Sequence, residues 1–154
     1  MLYTQIEFMD NNTVAAISDS GINFYAMKQI PEELGTVTYE GKVVRLAVGT
    51  ESVLVCTRPQ SGTGDICLWS YTTSGDAEYE KKITFEPDVL GIGGNYAWAC
   101  ADKELIIMSS SGRTVFSGES DRNILYLAEG NNKEEFLAVC SGYLETIKLK
   151  EKAE

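Results

Sequence analysis

The stretches VRLAVGTESVLVCT (residues 44–57) and DVLGIGGNYAWACA (residues 88–101) align with each other without a gap. Each contains an apolar run, a turn and a second apolar run that ends in a cysteine, which is typical of two paired strands. ILYLAEGNNKEEFLAVCS (124–141) repeats the pattern with a longer turn, and IEFMDNNTVAAIS (6–18) has Ile17 at the cysteine position. The cysteines are therefore interpreted as buried anchors of a repeated strand.

The anchors Ile17, Cys56, Cys100 and Cys140 recur about every 40 residues, which is the period of a propeller blade. A further apolar strand follows each anchor, and in three copies a glycine turn and a more polar strand follow it. The chain as a whole predicts about fifteen short strands. Sheets of this kind cannot bury both faces alone, and stacking them around an axis gives a β-propeller. The predicted blades are about 3–40, 43–86, 88–118 and 123–149, with a charged tail at 150–154.

Composition indicates one globular domain and limits the classes of partner. The 154 residues are 44% hydrophobic, and the net charge is −10 with no histidine. Such a surface repels phosphate, so direct binding to nucleic acid or to an anionic membrane is not expected. No signal peptide is visible, and no apolar run reaches the roughly 18 residues of a membrane span. With cysteines that look unpaired, these features favour an intracellular location, cytoplasmic or nuclear.

The strand–turn–strand segment ISDSGINFYA (17–26) resembles the repeats of WD-repeat β-propellers. In GDICLWS (64–70), Trp69 occupies the tryptophan position of that family, whereas Ser70 stands where aspartate is usual. The family's Gly-His pair is absent because the chain has no histidine. The resemblance covers nearly the whole chain and implies a propeller that binds proteins through loops at its rim.

A narrower resemblance concerns VLGIGGNYAWACADKELIIMSSSGRTVF (89–116). This segment is similar to blades in the middle propeller of the trimeric replisome adaptor that links helicase and polymerase. The resemblance implies a replication-adaptor role as one alternative function, which would require a basic patch or a helicase or polymerase partner.

The two ends of the repeat predict uncovered sheet faces. The last unit has three strands, ending in LETIKLKEKAE, and the first has no spare strand with which to complete it. A partial ring would expose apolar faces and unpaired backbone. One alternative is a four-bladed ring that closes alone with an incomplete last sheet. Because blades of about 40 residues usually occur in larger rings, we expect a partner protein or a second copy to complete the ring.

The same residues argue against a catalytic or metal site. The cysteines lie 11, 33 and 40 residues apart and lack histidine partners, unlike the ligands of zinc sites. A disulfide between Cys56 and Cys67 is conceivable because their strands pair. Ser-His-Asp and Cys-His arrangements are impossible without histidine. Trp69 and Trp98 are interpreted as packing residues, and GIGG (91–94) as a hairpin turn. No cofactor and no enzymatic activity are expected.

The primary hypothesis is a non-catalytic interaction scaffold or assembly subunit. An enzymatic or ligand-binding propeller with a carboxylate-lined central pocket is the other alternative. The insertion RPQSGTGD (58–65) is the longest turn between inner strands and the preferred contact loop. The candidate partner-binding residues are Arg58, Gln60, Asp65, Asp88 and Arg122.

Overall fold

A computed structural model describes residues 2–150 of the chain, and most of the expected tail, residues 151–154, lies outside that range. The described part contains fifteen β-strands. Their bounds are β1 Tyr3–Phe8, β2 Thr13–Ser18, β3 Gly21–Ala26, β4 Glu32–Thr38, β5 Lys42–Val48, β6 Ser52–Arg58, β7 Ile66–Thr72, β8 Ala77–Ile83, β9 Val89–Gly93, β10 Tyr96–Ala101, β11 Glu104–Ser109, β12 Thr114–Glu119, β13 Ile124–Glu129, β14 Glu135–Cys140 and β15 Tyr143–Lys148. None of the described residues belongs to a helix of the length and apolarity that a membrane crossing requires.

The strands form four antiparallel sheets, each made of consecutive strands. Sheet 1 contains β1 to β4, sheet 2 contains β5 to β8, sheet 3 contains β9 to β12, and sheet 4 contains β13 to β15. Neighbouring strands pair in this order because apolar alternating runs joined by short Gly, Asn and Asp turns favour hairpins. The topology confirms the all-β fold class with about four blade-like sheets, the last of which has three strands among the described residues.

The chain divides into two compact units, and the division lies between Thr84 and Phe85. The first unit contains sheets 1 and 2, and the second contains sheets 3 and 4. The two units are described separately below.

In the first unit, the core lies between sheets 1 and 2. Sheet 1 contributes Ala15 and its cross-strand partner Phe24, both completely buried. Sheet 2 contributes Val53, Val55 and Tyr71. Burying a large apolar side chain contributes about 1.5–3 kcal/mol, so this cluster stabilises the contact between the two sheets.

Trp69 packs at the side of this core rather than on an open surface. Its ring stacks on Tyr71 with a centroid distance of 6.1 Å and an interplanar angle of 9°. Its indole Nε1 donates a hydrogen bond to Thr57 Oγ1 at 3.1 Å. The sequence-based interpretation of Trp69 as a packing residue is confirmed.

In the second unit, Phe136 of sheet 4 lies at the centre of the core. Its completely buried ring meets the rings of Tyr96 and Trp98 edge-on, with both centroid distances at 5.5 Å. Such aromatic pairs add about 0.5–1.5 kcal/mol to the burial of their area. Gly91 is required opposite Trp98, because a Cβ there would lie 2.2 Å from the indole ring. Trp98 is therefore also a core residue, as expected.

One of the three expected glycine turns is wrong. Gly75 and Gly112 have φ angles of 89° and 82° in their turns, whereas Gly35 lies inside β4 and pairs with Phe24. A Cβ on Gly35 would lie 2.2 Å from the carbonyl carbon of Ser74, so the glycine permits the β7–β8 turn to approach the backbone of β4. The segment MKQIPEEL (27–34), whose sequence is equally compatible with a helical turn and with a long loop, is a connection followed by the start of β4.

The cysteines are structural and form no disulfide with one another. Cys56, Cys100 and Cys140 are buried, and Cys67 is half-buried. Cys67 pairs with Thr57 rather than with Cys56, so Cys56 and Cys67 point to opposite sides of sheet 2 and do not form the conceivable disulfide. Burial raises the pKa of the Cys100 thiol to about 12, which keeps it protonated and unreactive at neutral pH.

The repeat alignment is wrong by one residue at Cys140. Two-residue turns follow Ser18, Ala101 and Cys140, the last residues of β2, β10 and β14, so these three positions are equivalent. Cys140 thus corresponds to Ala101 and not to Cys100. A shift of one residue moves a side chain to the other face, so Cys140 packs on the side of sheet 4 that faces sheet 3.

Candidate functional site: exposed sheet faces and connection ends

The side of sheet 1 that points away from the core is partly apolar and exposed. We call this side face 1. Two cross-strand rows form it, Ile6–Ala16–Asn23–Thr36 and Phe8–Val14–Tyr25–Glu33. Ile6 and Phe8 on β1 are 65% and 67% exposed, although β1 is regularly paired to β2. Large apolar side chains at such exposure form a patch that favours contact with protein.

A hydrogen-bonded chain crosses the polar part of face 1. Tyr3 Oη donates to Asn23 Oδ1 at 3.1 Å, and Asn23 Nδ2 donates to Thr36 Oγ1 at 3.0 Å. Thr36 Oγ1 in turn donates to Glu33 Oε1 at 3.1 Å. The hydrogen bond with Tyr3 is the main cause of the raised pKa of Tyr25. These hydrogen bonds satisfy the polar side chains of Asn23 on β3 and Thr36 on β4. Face 1 can therefore be covered without leaving these groups unsatisfied.

Sheet 4 has a similar uncovered side, which we call face 4. Two rows form it, Tyr126–Val139–Leu144 and Ala128–Leu137–Thr146. Tyr126 and Leu144 are 58% and 63% exposed. Glu135 and Lys148 form a polar pair of opposite residues at one end of the face. Within residues 2–150, no strand pairs with the outer edge of β15, so this sheet also offers unpaired backbone groups.

The five candidate contact residues all lie at the same end of their own sheets. At this end, which we call the connection end, the first strand begins and the chain leaves for the next sheet. Arg58 is the last residue of β6, and Gln60 and Asp65 lie in the following loop. In the second unit, Asp88 and Arg122 lie in the links that precede β9 and β13.

Three of the five candidates, Asp65, Asp88 and Arg122, have a local structural contact. Asp65 Oδ2 lies 2.9 Å from Lys82 Nζ in an exposed ion pair, and this hydrogen bond is the main cause of the raised pKa of Lys82. The backbone N–H of Asp88 donates to the Cys100 carbonyl at 2.8 Å. The guanidinium of Arg122 lies 4.4 Å from the centroid of the Tyr143 ring. These contacts order the connection ends, and the role of the residues in partner binding stays a prediction.

Gln60 is one of the residues that line a cleft of about 500 Å³ in the first unit. The surface of the cleft is about equally polar and apolar, and its lining includes Lys42, Arg45, Asp19 and the partly buried Tyr39. Burial raises the pKa of Tyr39 to about 12, so its hydroxyl is neutral over the physiological range. The cleft mixes both signs of charge and thus differs from a carboxylate-lined pocket.

Carboxylates are grouped elsewhere, in the second unit. Glu119, Asp121 and Glu145 line a small cleft of about 180 Å³ beside β12 and β15. These are outer strands of their sheets, whereas the enzymatic alternative requires a central pocket. Among the described residues, no group of three or more His, Cys, Asp or Glu side chains could hold a metal ion.

Sequence reasoning anticipated exposed apolar faces without naming their side chains. The signal for Ile6 and Phe8 is present in YTQIEF (3–8), where apolar residues alternate with polar ones in a strand. For Leu137 and Val139 the sequence pattern was misleading. Aligning Cys140 with Cys100 exchanges the two sides of β14, so the side that faces sheet 3 is taken for the outer side.

Comparison with known proteins identifies the fold. The model of a family of unknown function, DUF5711, matches residues 1–149. No curated protein matches the sequence significantly. The WD40 β-propeller domain of Doa1 has a TM-score of 0.64 at 12% identity, over 97% of this chain and 53% of that chain. The structure of BBS1N in complex with ARL6DN has a TM-score of 0.62 at 15% identity, over 98% and 48%.

Hydrazine synthase of Kuenenia stuttgartiensis is also similar, with a TM-score of 0.64 at 14% identity, over 95% of this chain and 46% of that chain. At these identities the likeness concerns the fold, and it confirms the WD-repeat-like β-propeller resemblance. The chain spans about half the length of the solved chains that it matches.

Proposed function

Because the chain belongs to the family of unknown function DUF5711, we propose its function from its own surfaces: it is a non-catalytic scaffold that assembles with protein through faces 1 and 4. The observation that carries the proposal is the exposure of large apolar side chains on two regularly formed sheets. The partner is a second copy or another chain, and the proposed location is intracellular.

Association is favoured by the energy of covering these faces. Removing apolar surface from water contributes about 25 cal/mol per Å², and each half-exposed aromatic or leucine side chain offers on the order of 100 Å². Phe8 and Leu144 alone would then contribute several kcal/mol when covered. The bonded polar groups of face 1 keep their partners, so covering the face leaves few unsatisfied groups.

The non-catalytic part of the proposal rests on the residues available. The chain has no histidine, and burial raises the pKa of the Cys100 thiol to about 12. A nucleophile with an adjacent base therefore has no support in this chain. The fold itself does not decide between scaffold and enzyme, because hydrazine synthase is among the similar structures.

Site-specific photo-crosslinking tests the proposal. A photoreactive phenylalanine analogue is placed at Phe8 or Leu144 in the intact protein, in its native cells. We expect discrete protein adducts at both positions. The control is Ile30, which is exposed but lies in the β3–β4 connection outside both faces, and no adduct is expected there. Absence of protein adducts at both faces would refute the proposed function.

A further inference from the structure

We propose that face 4 of one copy packs on face 1 of a second copy, and that two such junctions join the two copies. The inference rests on the proposed function, because it names the partner of the same two faces. It makes the assembly a homodimer with head-to-tail contacts.

The two faces are of opposite kinds. We call the side of a sheet that points toward the next sheet in the chain its onward side, and the other its backward side. In the first unit, the onward side of sheet 1 packs on the backward side of sheet 2. Sheets 3 and 4 pack in the same way in the second unit. Face 1 is the backward side of the first sheet, and face 4 is the onward side of the last. Of the pairings that these two faces allow, only the packing of face 4 on face 1 joins an onward side to a backward side, as the junctions within both units do.

The positions on face 1 correspond to core positions of sheet 4. Counting back from the two-residue turns after β2 and β14 aligns Val14 with Phe136 and Ala16 with Ala138. Phe136 and Ala138 are completely buried against sheet 3. Val14 and Ala16 are themselves only 5% exposed, so the apolar surface that face 1 offers at these positions belongs to their cross-strand partners Phe8 and Ile6.

The positions on face 4 correspond in turn to core positions of sheet 3. The same count aligns Leu137 with Trp98 and Val139 with Cys100. Trp98 and Cys100 are buried in the contact with sheet 4. Across the next strand, Leu144 corresponds to Leu105, which belongs to that core as well. Face 4 therefore carries the pattern of a covered face, although its side chains are exposed.

One pair of charges at the rims of the two faces is complementary, Lys148 on face 4 and Glu33 on face 1, although Glu135 lies beside Lys148. Lys148 lies on the third strand of sheet 4, at the end opposite the connection end. Tyr25 and Glu33 lie on the third and fourth strands of sheet 1 at the same end. First strands lie side by side in the second unit, where β13 contacts β9. Under that alignment Lys148 of one copy approaches Glu33 of the other.

The area is sufficient for a stable dimer. With strands about 4.8 Å apart and a rise of about 3.3 Å per residue, a face of three or four six-residue strands covers roughly 300–400 Å². Two junctions cover four such faces, or about 1,200–1,600 Å² in total, which is the size of a standard specific interface.

Sedimentation velocity on the purified chain at 1–50 µM, with paired variants, tests the proposal. The wild type is expected at twice 16.9 kDa, or 33.8 kDa. Phe8→Glu disrupts face 1 and Leu144→Glu disrupts face 4, and each should weaken dimerisation at least about 100-fold because each junction then buries an unpaired carboxylate. Ile30→Glu should remain dimeric.

Mixing the two variants is the decisive step. The Phe8→Glu chain keeps a good face 4, and the Leu144→Glu chain keeps a good face 1, so together they restore one junction. We expect a heterodimer in the mixture, although each variant alone is monomeric. Circular dichroism verifies folding, and Ile6→Glu and Tyr126→Glu replace any variant that does not fold.

Several outcomes would overturn the proposal. These are a monomeric wild type, an open polymer, a mixture that stays monomeric, or a Leu144→Glu variant that dimerises normally while Phe8→Glu does not. The last result would indicate pairing of face 1 with itself. If the purified chain is monomeric but crosslinks in cells to another protein, the homodimer fails and the proposed scaffold function stands.

Discussion

Replacing Phe136 with alanine should destabilise the second unit by about 4 kcal/mol. The ring is completely buried and lies 5.5 Å from the ring centroids of Tyr96 and Trp98. Loss of transfer free energy accounts for about 2 kcal/mol. A cavity of roughly 100 Å³ at about 24 cal/mol per Å³ accounts for a further 2.4 kcal/mol or so if the sheets do not collapse into it.

Urea unfolding followed by tryptophan fluorescence measures this loss. Trp69→Phe in the background leaves Trp98, one of the two tryptophans, as the only reporter. With a slope of about 2 kcal/mol per molar urea, the midpoint should fall by about 2 M. All samples are compared at one protein concentration, because association would add to the apparent stability.

Phe116→Ala is the matched control. It removes the same atoms from β12 of the same unit, but its side chain is 37% exposed. A loss of about 1 kcal/mol is expected there. If the free energies of unfolding of Phe136→Ala and Phe116→Ala differ by less than 1 kcal/mol, Phe136 does not fill the contact between sheets 3 and 4, and the assigned register of β14 is wrong.

Two further predictions concern the first unit and the thiols. Gly35→Ala should lower the free energy of unfolding by about 1–3 kcal/mol, because its Cβ would lie 2.2 Å from the backbone of Ser74. Gly118→Ala is the control, because Gly118 also lies in the fourth strand of a sheet without positive φ, and its Cβ would meet only the Phe116 ring at 3.1 Å. Equal losses in the two variants would contradict the close approach. The free energy of unfolding should fall as the pH rises from about 9 to about 12. Burial raises the pKa of the Cys100 thiol to about 12, so the unfolded chain loses this proton at a lower pH than the folded state does. Alkaline titration of the unfolding midpoint checks this, and Cys100→Ala should show a smaller fall; an equal fall in both proteins would exclude Cys100 as a cause.

Most of the fold could be predicted from the period of the sequence repeat. Apolar runs that end in Ile17, Cys56 and Cys100 are strands in which nearly every consecutive side chain is buried, so their spacing predicts consecutive similar sheets. Burial of thiols among apolar neighbours needs no partner residue, which is why their interpretation as anchors was possible without coordinates.

The errors have a common physical origin in contacts between sheets. Nothing local distinguishes Gly35 in a strand from Gly75 in a turn, because the reason for Gly35 is the backbone of Ser74 almost forty residues later. The side on which Cys140 lies depends on the turn at Ser141 and Gly142 and on the bulge between Ile124 and Tyr126. Sequence similarity between the repeats does not reveal that Cys140 is offset by one residue from Cys100.

The candidate contact residues illustrate a further limit. Arg58, Gln60 and Asp65 could be assigned to a loop, but a loop sequence does not determine whether an aspartate pairs with Lys82 or stays available to a partner. The apolar faces depend on which side of each strand a neighbouring sheet covers. That information is distributed over four sheets and is absent from any single segment.

The local composition of the two cores has a consequence for synthesis. Every residue of the first core lies between Met9 and Tyr71, and the second core draws only on Val89 to Leu149. On the ribosome, a nascent chain can thus complete one apolar cluster before the other has been translated. Face 1 then emerges from the ribosome before face 4, so the two apolar surfaces become available one after the other.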